Sequence, residues 1–255
     1  MDLIIPDWPD LPASVGALST TRRGGVSRAP YDDGSGARGL NLGAHVLDCP
    51  LHVGENRNLL RTVLPADPAW LEQVHGTVIV DAVGRSDGPA ADASFTTASN
   101  TVCAIMTADC LPVLFCDRLG RVVAAAHAGW RGLAAGILEK TVACMRAAGA
   151  DEITAWLGPA IGPEYFEVGE DVRQAFVAHD AAASNAFKPI AGQGGKYLAD
   201  IYALARARLR HAGVQSINGG GFCTFGDARR FYSYRRDKVT GRMASLIWLK
   251  QASLF

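Results

Sequence analysis

Apolar positions are concentrated in the middle of the chain, where they form the strongest strand pattern. Four apolar or β-branched runs predict strands at residues 77–82, 101–106, 111–116 and 121–126. Beyond residue 130, apolar residues recur at helical spacing and alternate with shorter strand-like runs. This part of the chain predicts helices at residues 133–148, 170–179 and 198–211, and strands at residues 153–157, 214–217 and 244–249.

The first third of the chain is instead rich in Gly and polar residues. The stretches 22–27 and 31–39 are typical of loops that shape a pocket or stay mobile. One short helical pattern follows Asn56, and Pro65 ends it. Helices mixed with strands and hairpins predict α+β layers more than a regular doubly wound sheet. No repeat or linker divides the chain, so residues 1–255 are expected to form a single domain.

Composition and charge narrow the classes of function. The 255 residues carry 25 basic and 25 acidic side chains, and a zero net charge argues against a general binder of nucleic acid or membrane surfaces. With 49% apolar residues the chain has ample material for a core and is not expected to be disordered. No apolar run approaches the roughly 18 residues that cross a bilayer, and the start lacks a basic leader. A cytoplasmic protein is expected.

The six cysteines form no C-x-x-C pair and are expected to be free thiols in a reducing compartment. Three lie in apolar runs and are predicted to be small buried side chains: Cys103, Cys116 and Cys144. Cys110 differs because its neighbours include Asp109 and Pro112. It is therefore the candidate for chemistry.

Cys110 has a predicted partner in His127. A turn at Asp117–Gly120 separates two apolar runs, and a four-residue loop there makes the numbers of opposed residues sum to 237. Cys110 and His127 then face each other with Cβ atoms about 4.5 to 5.5 Å apart. A single bulge would place them on opposite faces, and Pro112 favours an edge or a disrupted ladder.

His75 is the third candidate, just before the strand at 77–82. Two His and one Cys leave the open position typical of catalytic zinc, and imidazoles also suit copper. His75 lies 35 positions from Cys110, so only the fold can bring it close. The alternatives are a capping or core histidine, or a metal-free pair of Cys110 and His127 acting as the nucleophile of a cysteine hydrolase.

Ten motifs run almost from end to end of the chain: TTRRGGVS (20–27), NLGAHV (41–46), ENRNLL (55–60), QVHG (73–76), ADAS (91–94), TADCLPV (107–113), HAGWRG (127–132), LGPAIGP (157–163), FEVGEDV (166–172) and FYSYRRDKVTGR (231–242). Together they resemble the YfiH-like family, whose members are variously called laccase-domain or polyphenol oxidase proteins, purine nucleoside phosphorylases and peptidoglycan editing factors. The resemblance implies an α+β fold with mixed sheets in an α/β/β/α sandwich and the helices outside. It also implies zinc bound by His75, Cys110 and His127.

The resemblance implies phosphorolysis of adenosine, inosine and methylthioadenosine to a base and a sugar 1-phosphate, together with adenosine deamination. Arginines are expected to hold the phosphate, unless each is a solvated or structural guanidinium. The candidates in matched motifs are Arg22, Arg57, Arg131, Arg235 and Arg236. Further candidates are Asn41 and His45 in the pocket, Asp109 and secondarily Asp92 near the metal, and Trp130 and Tyr232 as stacking rings.

Other functions stay open from the sequence. Removal of a wrong amino acid from a cytoplasmic peptidoglycan precursor would fit a Cys–His hydrolase, and metal content distinguishes it. A copper oxidase is a third possibility, although six histidines are few against the roughly ten of a usual multicopper centre. A non-enzymatic binding module is a fourth. The expected partners are a nucleoside and phosphate, without nucleic acid or membrane, for a monomer or homodimer.

The chain departs from the family pattern in its N-terminal loops. Residues 34–39 look like an insertion, and Val46-Leu47-Asp48 replaces the usual Val-Gly-Asp. Neither departure touches the three metal-ligand candidates. Both weaken the transfer of substrate contacts from these loops.

Overall fold

The computed structural model describes residues 1–84 and 88–251. The strands of this part of the chain are β1 Leu3–Ile4, β2 Val15–Thr20, β3 Arg23–Ser27, β4 Pro68–Ala69, β5 Ile79–Asp81, β6 Ala93–Thr96, β7 Val102–Thr107, β8 Leu111–Asp117, β9 Val123–Ala128, β10 Ile153–Leu157, β11 Glu167–Gly169, β12 Phe187–Pro189, β13 Lys196–Ala199, β14 Ile217–Gly219 and β15 Met243–Leu249. Its helices are α1 Pro50–Arg61, α2 Trp130–Ala134, α3 Ile137–Ala147, α4 Glu170–Val177, α5 Ile201–His211 and α6 Tyr234–Asp237, with a 3-10 helix at Ala181–Ala186. No helix within these two ranges has the length and apolar character that crossing a bilayer requires.

Three sheets organise the strands. A five-stranded sheet has the order β1-β2-β15-β7-β4, a six-stranded sheet the order β14-β10-β8-β9-β6-β5, and a small sheet the order β11-β13-β12. Both large sheets mix parallel and antiparallel pairs, since β4 runs parallel to β7 and β5 parallel to β6. The hairpins and mixed pairs are those of an α+β fold, as predicted.

The two large sheets pack face to face, and alternate residues of their central strands explain the layers. On β7, Cys103 and Ile105 enter the core between the sheets, whereas Val102 and Ala104 face the cluster that includes α1. On β8, alternate residues likewise face the inter-sheet core or the cluster that includes α2 to α5. Burial on both faces explains why these strands read as continuous apolar runs. The result is the predicted α/β/β/α sandwich with helices outside.

The predicted cysteine environments hold for two of three residues. Cys103 and Cys116 are fully buried in the inter-sheet core. Cys144 is half-buried on α3, so the expectation of a buried thiol was wrong there. None of the six cysteines forms a disulfide.

Helix boundaries depend on local backbone chemistry. The single helix predicted at 133–148 is wrong, because Gly136 adopts φ +92° and separates α2 from α3. Only glycine enters that left-handed region without a steric cost. The helix predicted from 198 starts instead at Ile201, where the Asp200 side chain accepts the Ala203 amide at 2.9 Å. The stretch predicted as loop at 22–27 contains β3.

The hairpin of β8 and β9 forms, but its predicted register is wrong. Opposed residues sum to 239, so His127 lies opposite Pro112. The Asp117 carboxylate accepts the amides of Arg121 at 2.6 Å and Val122 at 3.0 Å, which moves the four-residue loop one position along the chain. Because the sum of opposed residue numbers changes by two, Cys110 still lies on the same face of the hairpin as His127. It becomes the diagonal neighbour of His127 instead of its direct partner.

Candidate metal centre and its cleft

Three separate segments bring the predicted ligands together. His75 lies in the loop between β4 and β5, Cys110 in the turn between β7 and β8, and His127 in β9. Their ligand atoms all lie within 4.8 Å of one another. The Cys110 Sγ is 3.7 Å from the His75 Nε2, and the two imidazole ring centroids are 4.7 Å apart. The group could hold one metal ion.

A buried carboxylate supports both histidines. The side chain of Asp92 is fully buried, and its Oδ1 lies 2.8 Å from the His127 Nδ1. The same carboxylate accepts the backbone amides of His75 at 2.9 Å and Gly76 at 2.6 Å. Burial favours a higher pKa for Asp92, but the hydrogen bonds of His127 and of these amides hold its pKa below the usual range.

Cys110 is positioned by a strained residue before it. Asp109 has φ +103°, and its carboxylate accepts the Thr224 hydroxyl at 2.7 Å and the Arg235 amide at 2.6 Å. Its backbone carbonyl accepts the Ile161 amide at 2.9 Å. These bonds turn the Asp109 side chain toward α6 and the loop at Thr224, rather than into the metal cluster, and fix the approach of Cys110.

The charges of Cys110 and His127 reinforce each other. Burial favours a higher pKa for the Cys110 thiol, but the positive charge of His127 and hydrogen bonds with both imidazoles lower that pKa to about 6. Burial lowers the pKa of His127, whereas the Cys110 thiolate and the bond to Asp92 raise it to about 9. Without metal, the pair therefore favours thiolate and imidazolium near neutral pH.

The backbone leaves space beside the three donor atoms. A Cβ at Gly129 would lie 2.8 Å from the His75 Cδ2, 3.2 Å from the Cys110 Sγ and 3.4 Å from the His127 Cε1. Only glycine keeps this position free. Two imidazole nitrogens and one thiolate suit zinc or copper, and a three-residue set leaves a position for substrate. The donor set and the free space fit such a metal.

The cluster lies in a cleft of about 830 Å³, the usual size of a small-molecule site. Two arginines and a histidine lie in the same cleft: Arg57, Arg242 and His45. Its other lining residues are Ala44, Trp70, Leu71, Glu72, Gln73, Gly88, Met106, Thr107, Ala108 and Tyr234.

The basic side chains of the cleft are held by specific contacts. Arg57 donates twice to the Leu42 carbonyl, at 3.0 and 2.9 Å, and its guanidinium lies 4.4 Å from the Trp70 ring centroid. Burial lowers the pKa values of Arg57 and Arg242 from the usual arginine value. Partial burial also lowers the pKa of His45, and the charges of Arg242 and Arg57 lower it further. An anion in the cleft would relieve this mutual repulsion.

Other predicted substrate residues lie away from the cleft. Arg22 is 5% exposed, donates to the Asp32 and Ala228 carbonyls and lines a separate pocket of about 400 Å³ with Arg236. Arg131 is exposed on α2, with its guanidinium 4.5 Å from the centroid of its neighbour's indole.

Three more predicted residues make internal contacts. Arg236 donates to three backbone carbonyls, and Arg235 donates to the Glu167 carbonyl at 2.9 Å. Asn41 is fully buried and accepts the amides of Gly43 and Arg242, both at 2.9 Å. Asn41 therefore shapes the cleft through its neighbours.

The two aromatic residues predicted to stack on a base, Trp130 and Tyr232, also make internal contacts. Tyr232 is fully buried, and its hydroxyl donates to the Tyr31 carbonyl. Trp130 packs partly against the helix-side core. The cleft instead contains Tyr234, which is 55% exposed. Sequence reasoning missed Tyr234 and Arg242, although both lie in the matched motif at 231–242.

The comparisons agree with the motifs. The family model described as multi-copper polyphenol oxidoreductase laccase matches residues 16–250. The chain is 58% identical over 250 residues to a protein named purine nucleoside phosphorylase YfiH of Escherichia coli strain K12, covering 97% of this chain and 98% of that one. A purine nucleoside phosphorylase of Haemophilus influenzae is 48% identical over 252 residues, covering 98% of this chain and all of that one.

Solved structures share the fold. A Neisseria meningitidis protein described as family DUF152 has a TM-score of 0.90 and 49% identity, with 98% of this chain and all of that one covered. A Bacillus licheniformis hypothetical protein YfiH has a TM-score of 0.84 and 34% identity, with 92% and 93% covered. The predicted resemblance is confirmed, and the chain belongs to the YfiH-like family of laccase-domain proteins.

Proposed function

We propose that this chain is a zinc-dependent purine nucleoside phosphorylase that converts adenosine, inosine and methylthioadenosine to a free base and a sugar 1-phosphate. The observation that carries the proposal is the presence of His75, Cys110 and His127 in one cleft with two arginines. Its relatives named purine nucleoside phosphorylase support the substrate class.

The residues divide the work of phosphorolysis. His75, Cys110 and His127 would hold the metal, which when bound supplies a Lewis acid. Arg57 and Arg242 hold the phosphate as an anion, and Tyr234 offers an aromatic face to the purine. A phosphate oxygen bonds to the anomeric carbon while the glycosidic C–N bond breaks. The purine leaves with the electron pair of that bond and takes a proton.

The finer parts of this function are also proposals. Adenosine deamination would use the same cleft, with water replacing the 6-amino group and ammonia leaving. Zinc is preferred and copper is the alternative, since imidazole binds both. In residues 1–84 and 88–251 the His75 cluster is the one group of three or more His, Cys, Asp or Glu side chains suited to a metal, which does not favour a multicopper oxidase. Cytoplasmic location and a monomeric or homodimeric state stay predictions.

A second candidate function is a Cys–His hydrolase acting on a peptidoglycan precursor. The low pKa of Cys110, about 6, and the adjacent His127 favour it, because this pair is a nucleophile without metal. Asp92 would then orient His127 as the third member of a triad.

One product assay tests both candidates. Metal-analysed protein is incubated with adenosine and phosphate, or with a UDP-muramoyl precursor carrying a wrong amino acid. We expect adenine and ribose 1-phosphate, about one zinc per chain, and loss of turnover in Cys110→Ala. Cys49→Ala, at an exposed cysteine, is the matched control and keeps activity. Release of the amino acid by metal-free protein, without phosphorolysis, would instead establish the hydrolase.

A further inference from the structure

We propose that Asp92 is a positioning residue that sets both histidine ligands at once, an inference that rests on the proposed metal site. Asp92 immediately precedes β6 and is fully buried. Its backbone carbonyl accepts the His127 amide at 2.7 Å, so β9 is held directly beside it. Its carboxylate then connects β9 to the separate loop that carries His75.

The two carboxylate oxygens have different partners. Oδ1 accepts the His75 amide at 2.9 Å and lies 2.8 Å from the His127 Nδ1. Oδ2 accepts the Gly76 amide at 2.6 Å and the Val74 amide at 3.3 Å. A carboxylate offers only acceptors, so it satisfies all four donors together.

Each bond has a consequence for a ligand atom. A proton on the His127 Nδ1, directed at Asp92, leaves Nε2 with its lone pair free for a metal. The three loop amides hold His75 at φ +61°, an uncommon conformation for a residue with a side chain. One carboxylate thus fixes the tautomer of one ligand and the backbone of the other.

Asparagine cannot reproduce this arrangement. If its oxygen faces His127, its NH₂ group meets the amides of Gly76 and Val74, and these two amides beside His75 lose their acceptor. If its oxygen faces Gly76, its NH₂ group meets the His127 Nδ1, and the proton moves to Nε2. Either orientation impairs one histidine.

The test measures zinc affinity of Asp92→Asn by chelator competition. The matched control is Asp117→Asn, which changes another buried, loop-closing carboxylate at the far end of the β8–β9 hairpin. We expect zinc affinity to fall by at least about tenfold in Asp92→Asn, the range for partners of metal ligands, and to stay within about twofold in Asp117→Asn. Unchanged affinity in Asp92→Asn, or an equal loss in both variants, overturns the proposal.

Amide hydrogen exchange separates this inference from the proposed function. In metal-free wild type, the amides of His75 and Gly76 are expected to exchange at least about a hundredfold more slowly than in an unstructured peptide. Asp92→Asn is expected to remove that protection from the Gly76 amide if the asparagine oxygen faces His127, or from the His75 amide if it faces Gly76. Full protection of both amides in Asp92→Asn overturns the positioning role. If wild type binds no zinc, the proposed function fails and this comparison still decides the role of Asp92. If Asp92→Asn does not fold, free exchange at these amides in wild type overturns the positioning role.

Discussion

At the scale of single residues, Cys110 shows how neighbouring groups set the chemistry of a side chain. Its sequence context distinguishes it from the buried Cys103 and Cys116, but only the structure supplies the positive charge of His127 beside it. Burial raises the pKa of both other thiols to about 12. Near neutral pH the Cys110 thiol therefore favours the reactive thiolate, whereas the thiols of Cys103 and Cys116 stay protonated.

Alkylation of the metal-stripped protein tests this difference. The rate of Cys110 modification by iodoacetamide should follow its thiolate, rising as pH increases through about 6 and falling below that value. Peptide mass spectrometry across pH 4 to 10 measures the rate at each cysteine. In His127→Asn the midpoint should move upward, because the positive charge is lost. A wild-type midpoint near 8.5, the value of a free thiol, would contradict the proposed pairing.

At the scale of elements, the junction between β9 and α2 brings the backbone of Gly129 against all three ligand side chains. Gly129 has φ −60° and ψ 152°, a conformation open to any residue, so glycine is needed there for space alone. The sequence shows Gly129 inside the HAGWRG motif without indicating what lies beside it. The reason is that His75 reaches this junction from a distant loop.

Gly129→Ala should therefore weaken metal binding without unfolding the protein. The added Cβ lies under 3.0 Å from the His75 ring and must displace it, and we expect zinc affinity to fall at least about tenfold. Gly54→Ala in α1 is the control, because its Cβ meets nothing within 4 Å and alanine favours a helix by about 0.5 to 1 kcal/mol. Chelator competition and thermal unfolding measure both effects. Wild-type affinity in Gly129→Ala would show that the ring has room to move.

The elements also show where sequence patterns stop being sufficient. Apolar periodicity locates β7, β8 and β10 to within a residue or two, because these strands are buried on both faces. Apolar periodicity does not predict the hairpin register, because the Asp117 side chain closes the loop one position later than the apolar runs indicate. Apolar periodicity also does not predict the break between α2 and α3 at Gly136, because the helical spacing of apolar residues continues across this glycine.

At the scale of the whole molecule, the cleft is assembled from segments between residues 44 and 242. Motifs and family resemblance identify the three metal-ligand candidates, but they do not show which arginines lie in the cleft. Arg22 and Arg57 both occur in matched motifs, yet Arg22 lies over the Tyr232 ring at 4.7 Å and donates to backbone carbonyls outside the cleft. Long-range packing decides which guanidinium meets substrate, and local sequence carries no record of it.

The position of Arg57 in the cleft, and of Arg131 outside it, gives a prediction for phosphate binding. Arg57→Leu removes a cation of the cleft, and a charge-assisted hydrogen bond of about 1.5 to 3 kcal/mol corresponds to a rise of roughly ten- to a hundredfold in the apparent KM for phosphate. Arg131→Leu, at an exposed position outside the cleft lining, should leave it unchanged. Initial rates at saturating adenosine measure this KM, and adenosine deamination without phosphate shows whether the nucleoside site survives. If Arg57→Leu reduces both activities equally, Arg57 supports the cleft or the nucleoside, and Arg242 becomes the main phosphate candidate.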